Sequence, residues 1–473
     1  MKTNRRTGTY RIFTAVLTAV FAFVLTSAGS IAVYADSATD LPAGETNLEA
    51  ALEEYGASPN DVIYVDTAGD IATALKRAER IAEDSRRAIV YLPPGTYRIS
   101  GHINVPENVV LVAEDDSLVT PSGSDSYLVR LSGSMYGGTY DSNYKNQTTI
   151  RILETYGSFS NGNGQIENLS VLSSSNYGIV AQGSKGSKIS KCTVRECKAS
   201  GIAILKPSSD SGAGATQVES ITGCNISSNG EKGEGAGIHL YMADVGTIAS
   251  CTLNSNSDKA VSTNSSNSSG CHIGTIKNCT MKKNGNNGVH IKPNCRLDHF
   301  VNNTLIGNDD GLVAAAITKE GTKGKSIIKD VRGNTFKQSV TQQIEAQGSG
   351  ASITIGDGNT IVSGKGYGIL VMKYGKVTVS GSNNIIKSND KGIGSQSHGS
   401  VIITGKKNQI LSNKKYGIQA VTKAVISITG SGNKISGNGK SAVYSASGAK
   451  ITLKKVKVSG LIYKTGGGKV VKK

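Results

Sequence analysis

Histidine, tyrosine and lysine occur two residues apart in two similar segments of this chain. The segment GIHLY contains His239 and Tyr241, and the segment GVHIK contains His290 and Lys292. Histidine and tyrosine side chains exchange protons with a substrate, and a lysine ammonium group neutralises an anion. These residue types predict proton transfer on an anionic substrate, with all four as candidate catalytic residues, provided that the fold brings them to one face.

Related segments supply candidate substrate contacts at the same two positions. AVSTN contains Ser262 and Asn264, and QIEAQ contains Glu345 and Gln347. If the Ile or Val after the first residue points inward, strand alternation turns the next residue outward and the one two positions later outward again. Insertions at 207–217 and 230–235 are then expected to border this face as walls of a groove. The alternative is that all these residues are ordinary solvent-facing strand residues.

The elements that position these residues repeat along the chain. Segments such as ISKCTV, FVNNTL and GDGNTI recur at intervals of 23 to 32 residues, and each is followed by a second strand usually opened by Gly and, later in the chain, by a third. One equivalent position is occupied by Leu169, Cys192, Cys224, Cys251, Cys279, Asn303, Asn334, Asn359, Asn384, Asn408 and Asn433. The pattern predicts an all-β, triangular parallel β-helix with three short strands per coil.

Stacked coils place like residues above one another, so the Asn series predicts an internal ladder of side-chain amides. The four cysteines in the series are expected to be small buried thiols, because one straight row does not offer the tetrahedral geometry of a metal site. Cys271 and Cys295 lie one coil apart, and the sequence leaves open whether they pair. No metal ligands are predicted.

The N-terminal part of the chain is expected to cap the solenoid. Asp70 is an N-cap candidate, and Ile71, Leu75, Ala78 and Ile81 lie on one face of the helix that follows it. Such a helix would cover the open end of the core. The predicted division of the chain is a signal peptide at 1–35, a flexible lead-in at 36–60, the cap and first coils at 61–125, the β-helix at 126–463 and a basic tail at 464–473.

Export is predicted by the first residues of the chain. Basic residues are followed by an apolar run too short for a confident membrane span, and then by small residues ending at Ala35. We therefore expect a secreted or cell-surface protein without stable membrane insertion.

The charge of the chain is unevenly distributed: residues 401–473 contain 15 Lys and no acidic residue, whereas residues 36–150 contain 18 acidic and 8 basic residues. The lysines either keep this end solvated or attract an anionic polymer, and nucleic acid is not expected for an exported chain.

A family resemblance follows from the helix, the segment VYLPPGTYRI and the long succession of coils. From about residue 60 to 463 the chain resembles the pectate-lyase-like superfamily of right-handed parallel β-helix proteins. The resemblance implies the fold, but that superfamily includes polysaccharide lyases, glycoside hydrolases, sugar epimerases and surface proteins without catalysis.

The leading functional hypothesis is a lyase or epimerase acting on an acidic polysaccharide. The row of His, Tyr and Lys side chains would take a proton from C5 of a uronic acid and return one to the leaving oxygen, while Lys292 neutralises the carboxylate. The alternatives are a noncatalytic binder of glycan or anionic cell-wall polymer and an adhesin-like structural protein. Absence of Trp, a common sugar-stacking residue, counts against an enzyme.

Two further features have weaker functional interpretations. The run Asn308, Asp309, Asp310 is similar to the paired aspartates of polygalacturonase-like hydrolases, but it precedes Gly311, where turn residues are expected anyway. No cofactor is evident, calcium remains open, and the sequence leaves the oligomeric state undetermined.

Overall fold

The computed structural model describes residues 46–66, 70–82, 87–152, 164–208, 215–231, 233–318 and 321–473. The predicted signal peptide at 1–35 lies outside these residues. The described chain forms a right-handed parallel β-helix, as the sequence predicted, in which each coil contributes one strand to each of three parallel sheets. We call them sheets A, B and C in the order in which a coil visits them.

Sheet A has 17 strands, and every registered pair in it is parallel. Its strands are β1 Val62–Tyr64, β2 Ala88–Leu92, β5 Val109–Ala113, β8 Ser134–Tyr136, β11 Gln165–Glu167, β14 Lys185–Ser190, β17 Gln217–Thr222, β20 Asp244–Ala249, β23 His272–Lys277, β26 Arg296–Val301, β29 Ser326–Arg332, β32 Ala351–Ile355, β35 Lys376–Val379, β38 Ser400–Ile403, β41 Val425–Ile428, β44 Lys450–Leu453 and β47 Lys469–Lys472.

Sheet B has 15 strands, most of them three residues long. Its strands are β3 Gly95–Ile99, β6 Ser117–Pro121, β9 Thr139–Asp141, β12 Ser170–Leu172, β15 Thr193–Arg195, β18 Asn225–Ser227, β21 Thr252–Asn254, β24 Thr280–Lys282, β27 Thr304–Ile306, β30 Thr335–Lys337, β33 Thr360–Val362, β36 Ile385–Lys387, β39 Gln409–Leu411, β42 Asn433–Ser436 and β45 Val456–Val458.

Sheet C also has 15 strands and carries the candidate site residues. Its strands are β4 Ile103–Val105, β7 Asp125–Leu131, β10 Asn146–Ile152, β13 Tyr177–Gln182, β16 Ile202–Leu205, β19 Ile238–Tyr241, β22 Val261–Asn264, β25 Val289–Ile291, β28 Leu312–Ala315, β31 Ile344–Gln347, β34 Tyr367–Met372, β37 Lys391–Ser395, β40 Tyr416–Ala420, β43 Ser441–Ser445 and β46 Ile462–Lys464.

The predicted Asn ladder is present at the corner between sheets A and B. Asn303 Nδ2 donates to the Ile276 carbonyl of the preceding coil at 2.9 Å, and the Asn303 N–H donates to Asn334 Oδ1 at 2.8 Å. Cys279 occupies the same position one coil earlier, where its thiol donates to the Ile248 carbonyl at 3.8 Å. Each ladder residue thus satisfies backbone groups that the corner would otherwise leave buried and unpaired.

A second Asn ladder, which the sequence analysis did not identify, follows sheet B at the next corner. It comprises Asn229, Asn256, Asn284 and Asn308, and resumes at Asn389, Asn413 and Asn438. Between these two runs the position is taken by Ser339 and Gly364, and Gln343 fills the space by donating to the Val362 carbonyl at 2.9 Å. The interruption falls on the coil that carries Glu345 and the coil after it.

The predicted N-terminal cap is confirmed as helix α2 (Ile71–Ile81). Asp70 caps it by accepting from the Ala72 N–H at 2.9 Å, and burial of Ile71, Leu75 and Ala78 joins the helix to the main core. The apolar end of the solenoid is therefore covered at this side.

The flexible lead-in predicted at 36–60 needs correction within the described residues. Thr46–Tyr55 forms helix α1, which packs Leu48, Ala51 and Tyr55 on the outer face of sheet A. The buried Glu114 accepts from the Asn47 N–H at 3.1 Å at the start of this helix. A carboxylate at a helix N-terminus satisfies unpaired N–H groups and interacts favourably with the helix dipole.

The basic tail predicted at 464–473 also needs correction, because strand β47 (Lys469–Lys472) pairs with β44 in sheet A. Val470 packs against the main core, and the segment extends the solenoid by one more strand. All seven cysteines are buried free thiols in this structure. No helix among the described residues is long and apolar enough to cross a membrane.

Candidate active site

A row of outward-facing side chains crosses five consecutive strands of sheet C. In register, His239 lies opposite Ser262, Ser262 opposite His290, His290 opposite Val313, and Val313 opposite Glu345. Neighbouring strands of a sheet are about 4.8 Å apart. The two histidines and the glutamate therefore occupy every second strand of one face.

The alternation expected from the sequence positions these residues. In β19, Ile238 and Leu240 are buried in the core, whereas His239 and Tyr241 are half-buried on the outer face. β31 repeats this arrangement, with Glu345 and Gln347 outward. Ser262 and Val313 face the same way but are only 4% and 5% exposed, because larger side chains flank them in the row.

The second row expected from the sequence is only partly formed: Tyr241 lies opposite Asn264, whereas Lys292 follows the end of β25 and lies outside the registered pairs of that strand. The Lys292 N–H donates to Thr263 Oγ1 at 2.9 Å on the preceding coil. Asn264 uses its side-chain oxygen to accept from the Ser265 N–H at 3.1 Å, so this amide also holds the turn that follows it.

His290 lies in an environment that keeps its imidazole neutral. Neither ring nitrogen is accessible to solvent, and neither has a hydrogen-bond partner among the described residues. Burial, together with the nearby Lys259 and Lys292 ammonium groups, lowers the pKa of His290 to about 3. His290 is thus an unprotonated imidazole at neutral pH on the outer side of sheet C.

His239 has a similar environment at the other end of the pair. Burial and then Lys292 and Lys259 lower its pKa to about 4, while Asp258 acts in the opposite direction. Lys259 is only 9% exposed and its Nζ pairs with Asp258 Oδ2 at 2.6 Å. Two neutral histidines therefore share a partly desolvated surface with two cationic lysines.

Glu345 has the opposite tendency and keeps its proton. Burial and then the carboxylate of Asp310 raise the pKa of Glu345 to about 7, a change opposed by Lys373 and assisted by Asp309. With its amide nitrogen facing Glu345, Gln347 donates to Glu345 Oε1 at 3.2 Å and accepts from Lys373 Nζ at 3.0 Å. This end of the row therefore offers a carboxylic acid that is part-protonated near neutrality.

The aspartates of the Asn308-Asp309-Asp310 run have different surroundings. Asn308 belongs to the second Asn ladder, as expected for a turn residue. Asp310 accepts from Thr341 Oγ1, from the Gln342 N–H at 2.7 Å and from Asn287 Nδ2 at 3.1 Å. It is anchored to the turns on either side, and its chemical effect is on Glu345.

Sequence reasoning missed the influence of the turn that precedes each strand of sheet C. Asp258 and Lys259 occupy this turn on the Ser262 coil, and Asp309 and Asp310 occupy it two coils later. In the sequence these residues could be noticed only by their charge, because they stand in turns of the same type as the ordinary turns of the chain. Within the described ranges, no cluster of three or more His, Cys, Asp or Glu side chains is arranged to hold a metal ion.

Comparison with known families gives two matches. The family described as "Right handed beta helix region" matches residues 157–328 and 317–460. The family described as "Rhamnogalacturonase A/epimerase, pectate lyase-like" matches residues 52–217, which end before the His239 to Glu345 row begins. None of the curated proteins matches the chain.

Several solved structures are similar to this chain. The A-module of the mannuronan C-5 epimerase AlgE6 from Azotobacter vinelandii is 15% identical over 89% of this chain and 98% of its own, with a TM-score of 0.36. The surface adhesin PfbA of Streptococcus pneumoniae is 14% identical over 76% of this chain and 91% of its own, with a TM-score of 0.46. The catalytic unit of a GH87 alpha-1,3-glucanase from Streptomyces thermodiastaticus is 15% identical over 93% and 70%, with a TM-score of 0.44. Similarity at this level says nothing about the activity of the chain.

Proposed function

We propose that this chain, which belongs to the family of proteins with a right-handed β-helix region, binds an acidic polysaccharide across sheet C and transfers protons at C5 of a uronic acid residue. The reaction is of the lyase or epimerase type. The observation that carries the proposal is His290, a neutral base with two solvent-shielded ring nitrogens that have no partner in the described part of the chain.

Binding of a uronate would activate the base. Its carboxylate would pair with the ammonium group of Lys292, whose charge adds to burial and to Lys259 in lowering the pKa of His290 in the free protein. Neutralising the charge of Lys292 raises the proton affinity of the imidazole at the moment when it faces the C5 hydrogen. The C5–H electron pair then moves into the carboxyl group, and Lys292 stabilises the charge that develops there.

Glu345 is the proposed proton donor, and this changes its expected role from substrate contact to acid. It lies two strands from His290, roughly 10 Å along the face, which leaves room for a sugar ring between them. In a lyase the proton would go to the leaving glycosidic oxygen, and in an epimerase to the opposite face of C5. His239 and Tyr241 stay as the second base and donor, and Ser262, Asn264 and Gln347 as substrate contacts.

The test is incubation of the purified protein with pectate, alginate and other polyuronates in deuterium oxide, with and without calcium. Unsaturated products indicate a lyase, and deuterium at C5 without cleavage indicates an epimerase. His290→Gln keeps the shape of the side chain and should abolish either signal. New reducing ends without unsaturation would overturn the mechanism in favour of hydrolysis, and no reaction across the panel would leave only binding.

A noncatalytic function is the second candidate, and the lysine-rich C-terminal coils favour it. Residues 401–473 contain 15 Lys and no acidic residue. Retention on an immobilised polyuronate that disappears with salt, and that survives His290→Gln but not replacement of several of these lysines by Gln, would support a binder or adhesin-like surface protein. Secretion through the signal peptide at 1–35 belongs to both candidates and is tested by the N-terminal residue of the protein recovered outside the cell.

A further inference from the structure

Cys271 and Cys295 lie on consecutive coils at the corner where sheet C gives way to sheet A. They are 3% and 1% exposed. The Cys271 N–H donates to Cys295 Sγ at 3.3 Å, and Cys271 Sγ donates to the Asn264 carbonyl at 3.1 Å. The Cys295 sulfur therefore rests directly against the backbone of Cys271.

The spacing of the two residues suits a disulfide. Each cysteine immediately precedes a strand of sheet A, and these strands pair in register, His272 opposite Arg296. Adjacent strands lie about 4.8 Å apart, and disulfides join Cα atoms separated by roughly 4.4 to 6.8 Å. The spacing of the coils therefore lies within the range of Cα separations that a disulfide spans.

The two thiols are also chemically unequal. The contacts of Cys295 with Cys271, among them the Cys271 N–H that points at its sulfur, lower the pKa of Cys295 to about 7 against the effect of burial, while the pKa of Cys271 is raised. By contrast, burial raises the pKa of Cys197 to about 11. Since the thiolate is the nucleophile in disulfide exchange, Cys295 is the better attacking group.

We propose that Cys271 and Cys295 form a redox-active dithiol that closes to a disulfide by exchange with a small disulfide such as oxidised glutathione. The Cys295 thiolate attacks one glutathione sulfur, forming a mixed disulfide and releasing one glutathione thiolate. Cys271 then gives up its proton and attacks the Cys295 sulfur, releasing the second. Two protein thiols are oxidised, one glutathione disulfide is reduced to two glutathione molecules, and these take up the two protons.

The disulfide would fix the turns that flank the candidate active site. Thr263 Oγ1 accepts from the Lys292 N–H and donates to the His290 carbonyl at 3.2 Å. Closing the dithiol links the turn after Asn264 to the turn after Lys292. The formation of this bond is independent of the proposed catalytic function, so either can fail without the other.

The ladder cysteines are the natural comparison, since they too lie one coil apart. Each of their thiols donates to a carbonyl of the preceding coil, as the Asn side chains do at the same position. The Cys271 thiol donates to a carbonyl as well, and hydrogen bonds with Cys224 and Cys279 lower the pKa of Cys251 to about 4. The ladder cysteines are therefore the competing sites of disulfide formation, and the experiment must distinguish them from the Cys271 and Cys295 pair.

The experiment equilibrates the full chain across a series of reduced to oxidised glutathione ratios, blocks free thiols with an alkylating agent and maps the peptides without reduction. We expect a peptide pair linked through Cys271 and Cys295 that grows with the oxidised fraction and is lost on reduction. Cys271→Ser and Cys295→Ser should each abolish it, whereas the matched control Cys197→Ser should keep it. Circular dichroism checks that each variant is folded.

A parallel sample is unfolded and refolded in the same buffers, so that burial does not limit access to the sulfurs. Alkylation of both Cys271 and Cys295 at every ratio in this sample would overturn the proposal. Disulfides found only among the ladder cysteines would overturn it as well.

Discussion

Sheets B and C are built from the same coils, but their outer faces differ in kind. Five successive strands of sheet B present threonine at one outward position, at Thr252, Thr280, Thr304, Thr335 and Thr360. On sheet C the corresponding row is His239, Ser262, His290, Val313 and Glu345, where no residue is followed by its own kind. Stacking therefore does not dictate the outward residue.

The difference separates two demands on the sequence. Like residues above one another fit a pleated surface and need no specific partner, as the threonine row illustrates. The sheet C row combines two bases, a hydroxyl, a valine and an acid, with the bases and the acid shifted in opposite directions from their ordinary pKa, as the proposed active site requires. The predictions that follow test this contrast.

The largest effect is expected from Glu345→Gln, which removes the proposed acid while keeping its size. We expect the turnover rate to fall by about 100-fold to 10,000-fold, the usual contribution of a general acid. Because the pKa of Glu345 is raised to about 7, the rate of the unaltered protein should fall as the pH rises through that value. The measurement is a pH–rate profile on the best substrate of the panel.

The same substitution should raise stability at high pH, although it lowers activity. A raised carboxyl pKa means that the folded state binds the Glu345 proton more tightly, so the contribution of this group to stability is fully present below the ordinary value of 4.5 and is lost as the pH rises through about 7. Glu345→Gln should therefore be the more stable protein in urea at pH 8. A variant that is inactive but less stable at pH 8 would argue that Glu345 is a structural residue.

Breaking the internal ladder should cost the most stability. Asn334 is 1% exposed, donates to the Phe300 carbonyl at 2.8 Å and accepts from the Asn303 N–H at 2.8 Å. Asn334→Ala leaves these groups buried and unpaired, a loss of about 3 kcal/mol in the free energy of unfolding. Asn334→Cys should lose less, since cysteine occupies this position in four earlier coils. Urea denaturation compares the two, and equal losses would contradict the ladder role of cysteine.

Acid should destabilise the chain through His290. The pKa of His290 is lowered to about 3 in the folded chain, from an ordinary value of 6.5. Between these two pH values the imidazole is protonated in the unfolded chain and neutral in the folded chain. Lowering the pH from 7 to 4.5 should remove about 2 kcal/mol of stability, and His290→Gln should reduce that loss. Urea midpoints at the two pH values give the comparison, and an unchanged loss in the variant would place His290 in contact with water.

The smallest effect is expected on the sheet B face. Thr304 is half-buried and lies between two like residues, so Thr304→Ala should change the free energy of unfolding by about 0.5 kcal/mol or less. Activity should be unchanged. Loss of activity in this variant, measured beside His290→Gln, would show that the proposed activity depends on the sheet B face as well as on sheet C.

The fold could be read from the sequence because one ladder position recurs with the same residue type. Asn at Asn303, Asn334 and Asn359 marks a corner that must satisfy the same backbone groups on every coil, and the strand lengths follow from it. Helix α1 could not be read, since its docking depends on Glu114, more than sixty residues away in the chain. A local pattern holds no trace of such a contact.

The sequence predicted which way the side chains of the candidate site face, but it did not predict their pKa values. Period-two alternation was enough to turn His239, His290 and Glu345 outward on one face. The low pKa of His290 and the raised pKa of Glu345 arise from burial and from Lys259 and Asp310, which reach them from turns on other coils. Those turns look like any other Asn and Asp turn in the sequence, so their effect emerges only when the coils are stacked.

The coils stack at a constant spacing, so distances between residues in one row of a sheet are multiples of one strand spacing. His290 and Glu345 are 55 positions apart in sequence, yet their separation in space is two strand spacings, whatever the lengths of the loops between them. Loops can grow or shrink without altering the separation of His290 and Glu345, whereas gain or loss of a whole coil between them changes it by one strand spacing. The distance between the proposed acid and the proposed base can thus change only in steps of one strand spacing.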